Sequence, residues 1–348
     1  MCLAKCFFLA LVFPLLSFSS ASFADTTPVT GKVIGAIESK KPDWFKDSFL
    51  DFREDAAEAA EEGKHMLVFA DLKGCPYCAK MLQHSFNTSV KEGGNKEFIQ
   101  THFDTIMIDI KGAREVAFDE NLIVTEKELA EALKVAFTPT LLFMNADNKV
   151  VQRIDGYRSA REFQQVLNYV KEKAYETTDF SSYRKANLTD AVYELLPHEK
   201  FTKITDLKTA FESDKPLALL FEDKTCDDCE RFHKETLALP ETHALMQKFN
   251  FVRLDPLSNE TIIDFEGNKT NAGDWLAKSG NSYRPALFFY GDKQLQAEVT
   301  GLIKTYHFHR ILEYVGDKKY KQYESLRDYS RVARSKILAS GKNIDLWK

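Results

Sequence analysis

Four cysteines in two Cys-x-x-C pairs, Cys75-Pro76-Tyr77-Cys78 and Cys226-Asp227-Asp228-Cys229, are the residues whose type and spacing can do chemistry in this chain. Two thiols three positions apart close to a disulfide or open to a dithiol. Each pair can therefore exchange two electrons with another disulfide, a thiolate attacking sulfur through a mixed-disulfide intermediate. About sixty residues after each first cysteine comes a proline ahead of an apolar run: Thr138-Pro139 before Thr140-Leu141-Leu142-Phe143, and Arg284-Pro285 before Ala286-Leu287-Phe288-Phe289. A cis X-Pro bond there removes an N–H donor and turns the chain beside the cysteines. Thr138 or Arg284 would then present its backbone to an incoming peptide. The same constellation stands twice in register.

A first cysteine that caps a helix feels free N–H groups and the positive end of the helix dipole, which favour its thiolate. Cys75 is expected to attack and Cys78 to resolve the mixed disulfide, and Cys226 and Cys229 have the same geometry available. The spacers differ. Pro76-Tyr77 brings no charge, and proline suits a first helical turn. Asp227-Asp228 suits the dipole but repels a neighbouring thiolate. Cys226 is thus expected to be the weaker acid and the slower nucleophile, offset in part if Arg284 faces the site. Asp71 and Glu222 each stand four residues before a first cysteine. Each is either a proton shuttle to the resolving cysteine or an acid at an exposed strand end. His233, one turn after Cys229, either lies near the site or is a surface or half-buried histidine, and His84, His307 and His309 carry less signal. One zinc site built from both pairs is formally open. The pairs are about 150 residues apart, however, each with its own preceding strand and following helix. Separate redox pairs are expected, with no metal and no cofactor.

The elements that must position these residues recur in one order. Phe49 to Glu62 has helical spacing, His65 to Ala70 is a short apolar strand, and Cys78 to Phe86 continues as helix. Strands follow at 103–110, after Pro139 and at 150–154, with a helix at 126–134 and a closing helix at 159–173. The second half repeats this with a helix at 206–212, a strand at 216–222, the motif helix to about Leu237, a strand at 249–254, a helix at 272–278, a hairpin over 285–299 and a closing helix at 306–315. Gly156-Tyr157-Arg158 through Tyr169-Val170 matches Gly301-Leu302-Ile303 through Tyr314-Val315. An offset near 150 residues is a domain duplication and not a solenoid period.

Composition bounds the rest. The chain has 348 residues and a formal net charge of −5, which indicates neither a nucleic-acid surface nor a basic membrane-binding stripe. Residues 1–24 are expected to be a cleaved leader: Lys5, an apolar core from Phe7 to Phe18, then Ser22-Phe23-Ala24 before Asp25. A retained anchor is the alternative, against which the apolar run is short. Cleavage removes Cys2 and Cys6 and leaves only the two Cys-x-x-C pairs, which are too local to staple a fold. An oxidising compartment, a bacterial periplasm, is expected. The segments are then a tail at 25–46, a first domain at 47–174, a linker at 175–200, a second domain at 201–315 and a helical extension at 316–348. The extension either packs on the second domain or is a basic docking tail.

The strand, Cys-x-x-C helix and proline-led strand of each half resemble a thioredoxin-like domain. The expected fold is α/β, two tandem thioredoxin-like domains with central mixed sheets flanked by helices. Phe69 to Cys78, Leu129-Ala130 ahead of Phe137-Thr138-Pro139-Thr140, Gly156-Tyr157, and the ending Gly341 to Trp347 further resemble the periplasmic thioredoxin-like proteins of sulfur-oxidation clusters, the SoxW type. Duplication, Cys-Asp-Asp-Cys and Arg-Pro depart from that pattern. The resemblance implies a periplasmic thiol-disulfide oxidoreductase that reduces disulfide-containing periplasmic proteins. It also implies an electron donor, a membrane thiol transporter of the DsbD or CcdA kind. The alternative is a non-catalytic binding or docking protein for a periplasmic client.

Overall fold

The computed structural model describes residues 30–188, Glu194 and 201–348. The expected leader, with Cys2 and Cys6, and the break at Pro197 lie outside the described residues.

Each half folds around a four-stranded mixed sheet. In the first the order is Phe103–Asp109, His65–Asp71, Thr140–Met144, Val150–Asp155, with the first two strands parallel and the other pairings antiparallel. In the second it is Asn250–Leu254, Leu217–Phe221, Ala286–Gly291, Gln294–Thr300, paired in the same sense. The repeat extends to features the sequence did not announce. A small hairpin, Glu115–Ala117 with Ile123–Thr125, recurs as Thr261–Ile263 with Lys269–Asn271. Each is bridged to the aspartate that caps its domain's opening helix, Asp51 to Ala117 and Asp206 to Ile263.

The central strands are apolar throughout because both faces are covered. Side chains alternate across a strand, so each strand feeds two cores. Leu67 and Phe69 go to one side of the first sheet, and Met66, Val68 and Ala70 to the other. In the second, Ala218 and Leu220 face one way, and Leu217, Leu219 and Phe221 the other. The outer cores belong to one domain each. The inner faces share a single core that runs from Phe69, Phe143 and Phe163 of the first domain to Leu287, Phe289 and Phe308 of the second. At about 1.5–3 kcal/mol per large buried side chain, the part of that core that lies across the junction favours the docked arrangement of the two halves.

Both motif helices, Pro76–Met81 and Asp227–Phe232, run on through one wide π turn, Leu82–Phe86 and His233–Leu237, where unbroken helix is expected from the sequence. The chain ends also join the fold. Val33–Ile34 pairs in parallel with Ile344–Asp345. The C-terminal helix Leu326–Ala339 lies on the second closing helix Thr305–Gly316, where Tyr329 Oη donates to Glu313 Oε2 at 2.5 Å. Trp347 then crosses to the first domain, its ring 5.4 Å from Tyr77 and 5.7 Å from Tyr157. Within the stretch read as linker, helix Phe180–Ala186 buries Arg184, which donates to the Ser282 carbonyl. Among the described residues, no helix is long and apolar enough to cross a membrane.

The domain junction leaves no room at Gly301. Its φ is +110°, and a Cβ there would stand 2.0 Å from Arg158 Nη1 and 2.8 Å from the Tyr157 carbonyl oxygen. Arg158 is fully buried and uses Nη1 to bond the Thr300 carbonyl at 2.9 Å. Gly280 also has positive φ, +79°, but nothing lies within 4 Å of its Cβ position. Both Gly→Ala changes carry the left-handed penalty of about 1–2 kcal/mol. Only Gly301→Ala adds a collision across the junction, so its melting temperature is expected to fall several degrees further than that of Gly280→Ala. Equal shifts in thermal denaturation would show that the junction yields without cost.

Candidate functional site

The buried strand His65–Asp71 delivers the chain through Leu72, Lys73 and Gly74 onto Cys75, which caps the helix Pro76–Met81. Gly74 holds φ +80°, a turn an L side chain resists. Cys75 Sγ accepts the Cys78 backbone N–H at 3.1 Å, and Pro76 occupies the first helical position, where an N–H would be unpaired. Thr138, joined to Pro139 by a cis bond, places its carbonyl oxygen 3.6 Å from that sulfur and donates its hydroxyl to it at 3.4 Å. Cys75 and Cys78 are joined as a disulfide. On reduction, the two donors to Cys75 Sγ serve the thiolate, since bonds to the charged form favour it. Cys75 keeps 6 % exposure, Cys78 none. In front of Cys75 lies a cavity of about 540 Å³, walled by both domains and both chain ends.

The second pair has the same backbone geometry and a different setting. Cys226 caps Asp227–Phe232, accepts the Cys229 N–H at 3.0 Å, and is disulfide-bonded to Cys229. Both cysteines are fully buried. Arg284, cis to Pro285, occupies the position that Thr138 holds in the first domain. Its guanidinium is also fully buried and is tied to Asp223, to Thr225 Oγ1 at 2.8 Å and to Glu162 of the first domain at 3.1 Å. The two carboxylates keep its pKa up although burial opposes them. Arg284 thus binds the domains together, and its charge also favours the ionised form of Asp227, whose pKa burial raises. Asp227 pairs with Arg161 at 3.6 Å, and Asp228 Oδ2 accepts the Ser159 backbone N–H at 3.0 Å. The N-terminal turn of the first closing helix, Ala160–Lys171, therefore covers the second motif.

The contact is reciprocal. Ser159 precedes the first closing helix as its cap, and Lys304 precedes the second. Neither cap side chain closes its own helix. The Ser159 N–H goes to Asp228, and the Lys304 N–H goes to Tyr77 Oη at 2.9 Å. Asp228 and Tyr77 are the second spacer residues of their motifs. Each Cys-x-x-C thus takes the cap N–H of the other domain's last helix. His307, on that helix, also meets Tyr77 Oη through Nδ1 at 3.1 Å.

The two upstream acids part company. Asp71 is buried, accepts from Ser39 Oγ at 2.8 Å, and has its pKa raised by that burial. Glu222 is fully buried, accepts from His233 Nε2 at 2.7 Å and lies 3.7 Å from Arg253 Nε. Among the described residues neither carboxylate hydrogen-bonds a cysteine in the disulfide state. His233 hydrogen-bonds Glu222. Also among the described residues, no group of three His, Cys, Asp or Glu is arranged to hold a metal ion. Sequence reasoning missed Tyr77, Ser159, Lys304 and Asp228 as partners. Only the internal alignment of Gly156–Arg158 with Gly301–Ile303, just before both caps, pointed to that place.

Residues 52–171 and 205–316 each match the model of the thioredoxin-like domain, and the chain belongs to that family, with two copies in tandem. Similar solved structures include a thioredoxin-fold protein from Helicobacter pylori (24 % identity, 40 % of this chain and 98 % of that one, TM-score 0.30). A thioredoxin from Thermus thermophilus matches at 23 % identity over 34 % of this chain and 83 % of its own, with a TM-score of 0.27. The C-terminal domain of Neisseria meningitidis DsbD matches at 23 % over 31 % and 93 %, with a TM-score of 0.25. No curated protein matches the chain.

Two measurements follow from this geometry. In protein reduced by dithiothreitol, iodoacetamide is expected to label Cys75 at least tenfold faster than Cys226, with urea abolishing the difference, because labelling of a sealed thiol waits for local opening. Equal native rates by mass spectrometry would show that the second motif is not sealed. The other concerns Asp228, whose pKa is pushed up to about 7, chiefly by burial. Between about pH 4 and pH 7 the folded state then holds a proton that the unfolded chain has lost, so this group's contribution to stability falls as pH rises through that window. Buried His65 and His307, held down to about 4, act in the opposite sense. Comparison of Asp228→Asn with wild type cancels them, and Asn keeps an acceptor for Ser159 N–H. The melting temperature of Asp228→Asn relative to wild type is expected to be several degrees higher at about pH 7.5 than at about pH 5. The same difference at both pH values would show that Asp228 is ionised throughout.

Proposed function

We propose that the chain is a thiol-disulfide oxidoreductase whose working site is Cys75 and Cys78. One observation carries this reading: Cys75 lines a cavity and keeps some exposure, while Cys78, Cys226 and Cys229 are fully buried. In the reduced enzyme the Cys75 thiolate attacks a substrate disulfide, forms a mixed disulfide and releases one substrate thiolate. Cys78, as thiolate, then attacks Cys75 Sγ, releases the second substrate thiol and leaves the Cys75–Cys78 disulfide, two electrons having passed to the substrate. Cys78 is placed for the second step, three residues on in the same helical turn. Thr138 and Pro139 flank the sulfur and form the edge along which substrate backbone would lie.

The resemblance to the SoxW type supports reduction as the direction, disulfides of partner proteins as the substrates, the periplasm as the compartment after removal of residues 1–24, and a membrane thiol transporter of the DsbD or CcdA kind as the donor. For the second domain the sealed motif favours the docking role. Arg284 through Glu162, and the spacer aspartates through Arg161 and Ser159, hold the junction to the first domain.

The test is reduction of insulin by the full chain with dithiothreitol. Cys75→Ser is expected to lose at least a hundredfold in rate, and Cys226→Ser to stay within about twofold, as befits loss of a nucleophile against loss of a structural thiol. Full activity of Cys75→Ser would leave the binding-protein reading standing. A reduction potential for the first pair near that of thioredoxin, about −270 mV, supports a reductase, and one near −120 mV turns the direction to oxidation.

A further inference from the structure

The cavity before Cys75 differs from the open face that a lone domain would present. Leu302 and Ile303 of the second domain, Arg334 of the C-terminal helix and Leu346, just after the terminal strand, line it together with the motif. Its volume, about 540 Å³, falls in the range of small-molecule sites, roughly 300–1,000 Å³. Cys75 at its floor is 6 % exposed.

The charges on the wall are unequal. Asp155 is its one carboxylate, and it is already held by Arg153 at 2.8 Å and Thr140 Oγ1 at 2.9 Å. Lys73 lies 3.6 Å from Glu38. Arg310 gives Nη2 to Glu313 at 2.6 Å but leaves Nε with no hydrogen-bond partner. Arg334 is exposed on the helix and has no ion pair or hydrogen bond among the described residues. Among the described residues Arg334 is the cation of this lining left without a counter-charge, and its planar guanidinium donors suit a carboxylate. Tyr77, Tyr157, Leu302 and Ile303 add aromatic and apolar surface to the same lining.

We propose that the Cys75 cavity takes a low-molecular-weight disulfide with an apolar body and a carboxylate, its body against Tyr157 and Leu302, its carboxylate at Arg334. This rests on the reading of Cys75 as nucleophile and adds a small-molecule substrate to the protein disulfides of that site. For a cyclic disulfide the electrons balance within the pair. The Cys75 thiolate opens the ring to a mixed disulfide with a tethered thiolate, Cys78 displaces it, and the product leaves as a dithiol while Cys75–Cys78 closes. An external dithiol returns the two electrons.

Lipoate and lipoamide test it, since they share one disulfide and one apolar body and differ in the carboxylate. With full-length protein pre-reduced by dithiothreitol and desalted, the second-order rate constant for single-turnover oxidation by lipoate is expected to exceed that by lipoamide about fivefold. Arg334→Glu should reverse the preference. Octanoate, which has no disulfide, should slow iodoacetamide labelling of Cys75, and octanamide should not. Equal use of lipoate and lipoamide by wild type, or an Arg334→Glu ratio like that of wild type, overturns the proposal and leaves Cys75 as nucleophile untouched. Undiminished oxidation of a Cys75→Ser protein by lipoate overturns that reading itself.

Discussion

The structure depends on one exchange of hydrogen bonds: the second spacer residue of each Cys-x-x-C receives the cap N–H of the other domain's closing helix. A helix start buried without a partner costs about 1–3 kcal/mol per orphaned donor. Ser159 and Lys304 do not cap their own helices with side chains. The acceptors come from across the junction, so neither closing helix is complete without the other domain. The shared core then follows, since docking the caps brings the inner faces of the two sheets and their closing helices into one cluster.

The same exchange makes the two sites unequal. Tyrosine reaches the cap with a long neutral arm, and its ring stands against Trp347 and His307. Space is left beside the sulfur, and the cavity occupies it. Aspartate is short and draws the first domain's helix turn down onto the second motif, where Glu162 and Arg161 complete the seal with Arg284 and Asp227. Asp228 is buried enough to hold its proton near neutral pH, so the acidic spacer carries less charge than its sequence suggests. The like-charge repulsion expected between Asp228 and a Cys226 thiolate is correspondingly weaker.

The fold was legible because its signals are local. The apolar strands, the Cys-x-x-C before a helix and the X-Pro before a strand each lie within about ten residues, and the duplication repeats them. The small hairpins at 115–125 and 261–271 were missed because three-residue strands carry too little periodicity. The pairing of Val33–Ile34 with Ile344–Asp345 joins the two ends of the described chain, and no local pattern announces such a partner. At the site, the cysteines and the proline loops were legible and their partners were not. Tyr77 and Asp228 read as tuners of a thiol because spacer residues next to a cysteine suggest electrostatics. Their hydrogen bonds run to residues 304 and 159, far away in sequence. Arg284 similarly read as a counter-charge for Cys226, whereas its carboxylates are Asp223 and Glu162.

That difference changes what a spacer substitution means in this protein. In a single domain, replacing Asp227-Asp228 by Pro-Tyr would report on thiolate stability alone. Here it also removes the Asp227 partner of Arg161 and puts a longer acceptor where Ser159 N–H needs a short one. A larger side chain at 228 would push the first closing helix away and open the second motif, while Arg284 and Glu162, both buried, resist the separation with the cost of uncovering a paired charge. Any change in Cys226 reactivity would then mix accessibility with acidity. The two are separable because accessibility governs labelling at every pH, whereas acidity moves only the pH at which labelling sets in. The duplication thus left two motifs of like backbone in unlike settings, one beside a cavity and one under the other domain's helix turn.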